Sequence, residues 1–435
     1  MKLPILNMRD QTDRRKWSQL LDSLRQGVGP GGEDLRAAVN SVIDEVASGG
    51  DAALARLTER LDGVKLAPSA LRVEPEELAR AKETLDAGLL DSLRRAAENV
   101  RRYHRHIMPT ETPALRREGT WLQMRWVPLE RVGVYVPGGK AAYPSTVLMT
   151  VIPAQVAGVR EIAVFSPPGK ETSLPHPAVL ATLELLGVSE VYRIGGTQGV
   201  AGLALGTRTI RRVDKIVGPG NNYVQAAKRE LFGRVDIDSF AGPSEVVVLA
   251  DKSASAAHAA AELLAQAEHD PGSAILITTS EPLARETCRQ VESQSAGLSR
   301  AEAIGDALAR MSAVVVCTDL DEAIGLTEEA APEHLVVLTE EARETARRIR
   351  SAGTIFIGPF SPVAAGDYWA GPSHVLPTSG TARFFSGLSV FDFLRRTSLV
   401  ELDHSGLAEA APHIIRLAQA EGLDAHAASV AERFK

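Results

Sequence analysis

The strongest constraint on the fold is a regular alternation of short apolar runs with longer amphipathic segments between about residues 126 and 381. The first series contains VGVYV, EIAVF and EVYRI, separated by helix-like stretches such as TVLMTVIPAQVAG and PAVLATLELLG. A second series contains EVVVLAD, AILITT, AVVVC, EHLVVLT and TIFIG. Strands that alternate with helices in this way predict parallel sheets with helices on both faces.

This pattern divides the chain into four predicted regions. Residues 1–125 form a mainly helical segment that packs on the body, and Gly49-Gly50 is a natural helix stop within it. Residues 126–240 and 241–381 form two α/β units with a boundary near Ala241-Gly242-Pro243. Residues 382–435 form a helical tail whose polar faces need another surface, such as a second subunit. We interpret the basic helix RRYHRH, with His104 and His106, as solvent-facing.

The composition excludes several classes of protein. The net charge is −7, whereas nucleic-acid binding needs a positively charged surface. No apolar run approaches the ~20 residues that span a bilayer, and the N-terminus becomes polar too soon for a signal peptide. Neither Cys288 nor Cys317 has metal-ligand spacing, so we expect two reduced thiols in a cytoplasmic protein.

Two glycine-rich turns, RIGGTQG and KIVGPGNNY, each follow a predicted strand. Glycine lets the backbone approach a ligand closely, and ligands of open α/β sheets bind at the carboxyl ends of strands. Neither turn has the G-x-G-x-x-G fingerprint, so the motif alone does not establish a dinucleotide. Tight connecting turns are the alternative interpretation.

Four groups of polar residues are candidates for chemistry. Gln266 and His269 are three apart on a predicted helix, a spacing that suits a metal, although His269 could simply cap the helix. Adjacent Glu333 and His334 offer two proton acceptors in one place, or an exposed pair on a loop. The other two groups are Asp367 with His374 in a Gly/Pro/Ser-rich segment, where we expect irregular structure, and Glu421 with His426 near the C-terminus. Asp367 follows Gly366, which would let the backbone aim the carboxylate, although Asp367 could simply cap a turn. Glu421 and His426 could instead lie on a solvated helix face.

Nine segments, in order, resemble the histidinol dehydrogenase family over about residues 35 to 430. They are VGVYVPGG (132–139), GGTQG (195–199), VDKIVGPGN (213–221), AGPSEV (241–246), LLAQAEHDP (263–271), PEHL (332–335), GDYWAGPSHVLPT (366–378), SGLSVFDFLRRTS (386–398) and EGLDAH (421–426). The resemblance implies two incomplete Rossmann-like, doubly wound domains, helical segments at both ends and an intertwined homodimer.

The resemblance also implies NAD-dependent, four-electron oxidation of L-histidinol to L-histidine through L-histidinal, with one zinc ion per active site. The implied zinc ligands are Gln266, His269, Asp367 and His426. The implied general base is His334, and Glu333 would activate water in the second half-reaction. The implied substrate contacts are Ser244, Gln266, His269, His334, Asp367, Glu421 and His426, and the implied NAD contacts are Tyr135, Gln198 and Asn221.

Two departures from the family pattern stand out. Thr197-Gln198-Gly199 replaces the usual Ala-Gln-Ala, and Phe385 replaces a common Ser. The alternative function is a related zinc- and NAD-dependent dehydrogenase for another polar amino alcohol or a sulfonated diol. Glu421 argues against the diol, because a carboxylate attracts cationic histidinol and repels an anion.

Overall fold

The computed structural model describes residues 3–26, 32–138, 142–240, 242, 244–269 and 272–435. The N-terminal region is mainly helical, with α1 (Gln11–Gln26), α2 (Glu33–Asp62), α3 (Pro75–Thr84), α4 (Ala87–Ile107) and a 3₁₀ turn at Pro68–Ala70. Gly50 interrupts α2 rather than ending it, since its φ of 52° lies in the left-handed region that glycine tolerates. The region also contains β1 (Ile5–Asn7), for which the sequence gives no signal.

The first parallel sheet contains β4 to β8 in the order β6-β5-β4-β7-β8 among the described residues. Its strands are β4 (Arg131–Tyr135), β5 (Glu161–Phe165), β6 (Glu190–Tyr192), β7 (Lys215–Val217) and β8 (Asp236–Ile237). Its helices are α5 (Pro144–Ala157), α6 (Pro177–Leu185), α7 (Gly196–Leu205) and α8 (Asn222–Leu231). The chain order reverses direction between β4 and β7, so a crevice opens at their carboxyl ends.

The second parallel sheet has the order β1-β11-β10-β9-β12-β13 among the described residues. Its further strands are β9 (Ser244–Ala250), β10 (Gly272–Thr278), β11 (Ala313–Val316), β12 (His334–Leu338) and β13 (Thr354–Ile357). Its helices are α9 (Ala256–Ala267), α10 (Glu281–Ser295), α11 (Ala301–Met311), α12 (Leu320–Ala330), α13 (Ala342–Arg347) and α14 (Val363–Tyr368). Apolar side chains bury both faces of β9, as expected for a sheet covered by helices.

An antiparallel sheet joins the body to the tail in the order β14-β3-β2 among the described residues. Its strands are β2 (Leu115–Arg117), β3 (Thr120–Pro128) and β14 (Leu394–Leu402), and 3₁₀ turns lie at Thr381–Arg383 and Val390–Phe393. The tail ends with α15 (His404–Ala420), α16 (Asp424–Ala431) and a 3₁₀ turn at Glu432–Phe434. Half-exposed side chains along β14 explain why this strand lacks an apolar sequence signal.

The predicted fold class is confirmed: two doubly wound parallel sheets, with helical segments before and after them. The predicted domain boundary at 241–243 falls partly outside the described residues. The interpretation of His104 as solvent-facing is wrong, because this side chain is completely buried on α4. None of the helices within the described ranges combines the length and apolar character needed to cross a membrane.

Candidate active site

The predicted catalytic pair lies at the amino-terminal edge of the second sheet. Glu333 directly precedes β12, His334 is the first residue of that strand, and Ser244 begins the neighbouring strand β9. Helices α9 and α14 end near the same edge. Glu333 and His334 are both buried, so the alternative of an exposed loop pair is wrong.

A short hydrogen-bonded chain orients the Glu333 carboxylate. Its Oε2 accepts a hydrogen bond from Ser244 Oγ at 2.7 Å and from the Glu245 backbone N–H at 2.9 Å. Gln266 Nε2 in turn donates to Ser244 Oγ at 2.8 Å. Burial raises the pKa of Glu333 to about 7, which brings its protonation equilibrium into the neutral range.

The neighbouring backbone sets the tautomer of His334. Its Nδ1 lies 3.0 Å from the Glu245 carbonyl oxygen, which only accepts, so Nδ1 carries the proton. The other nitrogen, Nε2, is buried without a hydrogen-bond partner among the described residues and lies 3.8 Å from Asp367 Oδ1. Burial also lowers the pKa of His334, so the neutral, proton-accepting ring is favoured.

Asp367 lies in the last turn of α14, which corrects the expectation of irregular structure there. Glu262 of α9 accepts the backbone N–H of Val363 at 3.0 Å and so stabilises the start of this short helix. Gly366 serves packing rather than backbone freedom: a Cβ there would lie 2.6 Å from the ring of Phe356. Burial raises the pKa of Asp367 to about 6, and no Lys or Arg in the described ranges forms an ion pair with it.

The predicted placement of Gln266 and His269 on one helix holds only for Gln266. Gln266 is buried at the helix end, whereas His269 lies two residues beyond Ala267, where the helix stops. Position 271 is a proline, and a proline disfavours the helical conformation of the residue before it, so a helix is not expected to continue to this point. Desolvation, followed by the nearby charge of His334, lowers the pKa of the His269 ring.

His374 connects this site to the first domain. Its Nδ1 donates to the Asp367 carbonyl oxygen at 3.2 Å, and its Nε2 lies 3.2 Å from Thr146 Oγ1 on α5. Burial lowers the pKa of His374 to about 4, which keeps the ring neutral. This imidazole therefore fixes the segment that carries Asp367 against the neighbouring domain.

The structure of one chain does not bring all predicted ligands together. Glu421 and His426 are exposed on the tail, whose helices pack mainly on each other and on β14. Across the described part of the chain, no group of three or more His, Cys, Asp or Glu side chains could hold a metal ion.

A cavity of about 950 Å³ opens at the carboxyl ends of the first sheet. The three predicted cofactor contacts line it: Tyr135 ends β4, Gln198 lies in the first turn of α7, and Asn221 caps α8. Helix N-termini that face such a cavity favour anionic groups. The crevice position and the volume suit a large ligand that carries phosphates.

Asp62 is a residue of this cavity that the sequence analysis missed. It ends α2, and its Oδ2 accepts a hydrogen bond from Gln198 Nε2 at 2.9 Å. Burial raises its pKa to about 6, while the Gly195 N–H and Gln198 oppose that rise. An Asp-Gly pair at a helix end resembles an ordinary helix stop, so the sequence gives no sign of this contact.

Local packing accounts for Gly199 and Phe385, two of the residues that depart from the family pattern. A Cβ at position 199 would lie 2.4 Å from a carbon of the Phe165 ring, so the large Phe165 requires the glycine. Phe385 packs edge-on against Phe240, with ring centroids 6.3 Å apart. Phe385 therefore adds an aromatic contact between the tail segment and the end of the first domain.

Comparisons with known proteins agree with this geometry. A family model described as histidinol dehydrogenase matches residues 31–434. The chain is 49% identical to the histidinol dehydrogenase of Geobacillus kaustophilus over 95% of this chain and 97% of that protein. It is 45% identical to the Methanothermobacter thermautotrophicus enzyme over 97% of this chain and 98% of that protein.

A solved structure shows the same fold. The crystal structure of histidinol dehydrogenase from Elizabethkingia anophelis superposes with a TM-score of 0.93 at 35% identity, and the match covers 99% of this chain and 98% of that chain. The chain therefore belongs to the histidinol dehydrogenase family, the oxidoreductases that carry out histidinol oxidation in histidine biosynthesis.

Proposed function

We propose that this chain oxidises L-histidinol to L-histidine through L-histidinal, with NAD as the oxidant, at the edge formed by β9 and β12. The observation that carries the proposal is the buried pair of Glu333 and His334, each held by a separate contact to residue 245. A binding protein has no need for two proton acceptors fixed in this way. Two successive oxidations at one site require several proton transfers.

His334 is the general base for the alcohol step. The Glu245 carbonyl holds its Nδ1 proton, so Nε2 is the nitrogen free to take the alcohol proton. Its low pKa keeps it unprotonated before the reaction. After the step it must pass its proton on, because the second oxidation needs a base again.

Glu333 activates water for the aldehyde step. Its carboxylate takes a proton from water as the oxygen adds to the aldehyde carbon, and a pKa of about 7 suits that exchange near neutral pH. Ser244 and the Glu245 N–H occupy one oxygen, which leaves Oε1 for the water. The burial of the pair keeps bulk solvent from the reactive aldehyde.

The residues present fit zinc. We assign Gln266, His269 and Asp367 as ligands from one chain and the partner's His426 as the fourth. Gln266 uses its amide N–H on Ser244, which leaves its oxygen for a cation, and the partly buried Asp367 carboxylate has no Lys or Arg ion-pair partner among the described residues. Bound zinc would orient the imidazole and amino nitrogens of histidinol.

The cavity at the first sheet fits NAD. Tyr135, Gln198 and Asn221 would contact the cofactor, and Asp62 would hold Gln198 in place. NAD, when bound, would supply the hydride acceptor for each oxidation. The N-termini of α6 and α8, which also border this cavity, would suit the cofactor phosphates, because the Asp62 carboxylate occupies the start of α7.

Two copies of the chain would complete each site. Glu421 and His426 are exposed here, and large apolar side chains beside Asp367, namely Tyr368 and Trp369, are also exposed. A homodimer with shared active sites would bring the tail of one copy to the edge of the other. We also propose a cytoplasmic location, which suits the free thiols of Cys288 and Cys317.

The reaction is tested by product stoichiometry. Zinc-loaded enzyme given L-histidinol and excess NAD should form two NADH for each histidine, while a sulfonated diol should give none. Glu333→Gln should impair oxidation of supplied L-histidinal more than that of L-histidinol. Equal loss of both half-reactions would contradict the role of Glu333.

The shared site is tested by mixing two inactive variants. His334→Asn and His426→Asn remove groups that one dimer site takes from different subunits under this proposal. After unfolding and joint refolding, heterodimers would have one intact site, and activity should return to about a quarter of the wild-type value. No recovery in verified heterodimers would contradict the assignment of His426 to the partner.

A further inference from the structure

Glu245 is a buried carboxyl group that the proposed mechanism does not use. It is the second residue of β9, and only 5% of its surface is exposed. Side chains alternate along a strand, so Glu245 points to the sheet face opposite Ser244 and Val246. On that face it lines a small cavity with Leu21 and Arg25 of α1, and its carboxyl group also accepts a hydrogen bond from the Glu333 backbone N–H.

The backbone of Glu245 contacts both catalytic residues. Its N–H donates to Glu333 Oε2 at 2.9 Å, and its carbonyl oxygen accepts from His334 Nδ1 at 3.0 Å. One peptide segment therefore orients the carboxylate and also selects the imidazole tautomer. A small displacement of this segment would disturb both groups at once.

The side chain of Glu245 anchors that segment to a tight turn. Its Oε1 accepts a hydrogen bond from the Ser379 backbone N–H at 2.8 Å, and the Gly380 N–H also donates to the carboxylate. Ser379 and Gly380 both have positive φ angles, of 57° and 75°. In this turn the two successive backbone N–H groups converge on the single carboxyl group of Glu245.

The same turn is linked to the start of β9 and to the segment that carries Asp367. Thr378 Oγ1 accepts a hydrogen bond from the Gly242 backbone N–H, just before β9. Residues 367–378 lead directly into the turn. Glu245 thus connects the strand beneath the two bases with the chain segment that supplies the opposing carboxylate.

We propose that Glu245 is a positioning residue for this oxidation. Its carboxyl group, held by the Ser379 and Gly380 N–H groups, fixes the peptide that orients Glu333 and His334. The inference rests on the proposed function, because it assumes that these two residues are the bases. It predicts that the hydrogen-bond acceptor at position 245 matters for turnover and not for substrate affinity.

The test compares Glu245→Leu with Glu245→Gln in the zinc-loaded, full-length enzyme. The leucine variant removes the acceptor, and kcat for histidinol should fall on the order of 10-fold to 100-fold, with KM and bound zinc unchanged. The glutamine variant keeps an acceptor oxygen and should retain kcat within about threefold. A glutamine variant as inactive as the leucine variant would overturn the proposed hydrogen-bond role.

Val247→Ala is the matched control for a purely structural effect. Val247 is buried on the same face of β9, two residues further along. The Val247→Ala substitution should lower the melting temperature as much as Glu245→Leu does, or more, while kcat stays near the wild-type value. Normal kcat in Glu245→Leu, or an equal kcat loss in Val247→Ala, would overturn the inference. A wild-type enzyme without histidinol activity would instead refute the proposed function.

Discussion

The two parallel sheets use opposite edges for their candidate sites. In the first sheet the cavity lies at the carboxyl ends of the strands, beside Tyr135, Gln198 and Asn221. In the second sheet Ser244 and His334 begin their strands, so the catalytic edge is the amino-terminal one. Similar doubly wound topology therefore does not determine which edge carries a candidate site.

The difference follows the sign of the charge that each edge can stabilise. Helices α6, α7 and α8 begin at the first cavity, and helix N-termini stabilise anions such as a diphosphate. Helices α9 and α14 end near the catalytic edge, and helix C-termini stabilise cations. Zinc and cationic histidinol suit the second edge, and NAD suits the first.

The largest expected effect is a loss of turnover without a loss of zinc, and it follows from replacing His334. His334→Asn keeps a donor for the Glu245 carbonyl but removes the base, so kcat should fall on the order of 10²-fold or more. Zinc content and NAD affinity should stay unchanged when measured on the same sample. Near-normal turnover would reject His334 as the base.

The second prediction tests whether the packing of α14 affects zinc binding without affecting NAD binding. Gly366→Ala would push the Phe356 ring and displace Asp367, so zinc affinity should fall about 10-fold to 100-fold in a chelator competition. Gly325→Ala in α12 meets open space and is the matched control, with zinc affinity unchanged. A weaker NAD affinity in Gly366→Ala would contradict the proposal that the two edges bind zinc and NAD separately.

The third prediction is the counterpart at the cofactor edge. Gly199→Ala would place a methyl group against the Phe165 ring and should lower the free energy of unfolding by up to about 3 kcal/mol. It should also raise KM for NAD, because Gln198 is its neighbour, while zinc affinity is preserved. Adding Phe165→Leu makes room and should restore both properties. Failure of this rescue would show that the ring contact is not the cause.

The smallest effect concerns a buried imidazole at neither edge. Both nitrogens of His104 lack a hydrogen-bond partner in the part of the chain that the structure describes, and burial lowers its pKa to about 4. In the unfolded chain the His104 ring takes up a proton near pH 6.5, whereas in the folded chain it does so only near pH 4. The folded state is therefore fully stable with respect to this group above pH 6.5, and it loses stability as the pH falls toward 4. The loss at pH 5 should be about 2 kcal/mol.

His104→Leu should remove this pH dependence without changing kcat. Denaturant unfolding of both proteins at pH 7 and pH 5 measures the effect. An equal loss of stability at pH 5 in both would show that another group titrates. A large fall in kcat would mean that this buried imidazole is functional.

The sequence predicts the parts of this account that depend on local pattern. The apolar runs of β4, β9 and β12 indicate buried strands, and the motif around Glu333 and His334 predicts the candidate catalytic pair. The sequence does not reveal which edge carries the site, because strand order and helix direction decide that. Gly366 shows the same limit: its Phe356 contact joins separate elements and appears only in three dimensions.

Burial of polar side chains is the other feature that the sequence conceals. His104 lies in a strongly basic helix, yet its position faces α5 and the core. Glu245 and Asp62 also look like ordinary strand and helix-end residues. Their hydrogen bonds connect segments more than 130 residues apart, so spacing along the chain cannot predict them.

The most direct test of the charge separation between the two edges is anomalous diffraction at the zinc absorption edge, on crystals grown with zinc and NAD. We predict one zinc peak per chain, bonded to Gln266, His269, Asp367 and the partner's His426, with NAD density beside Tyr135 and Asn221. Zinc at the carboxyl edge of the first sheet, or cofactor phosphates at the ends of α9 and α14, would contradict the account.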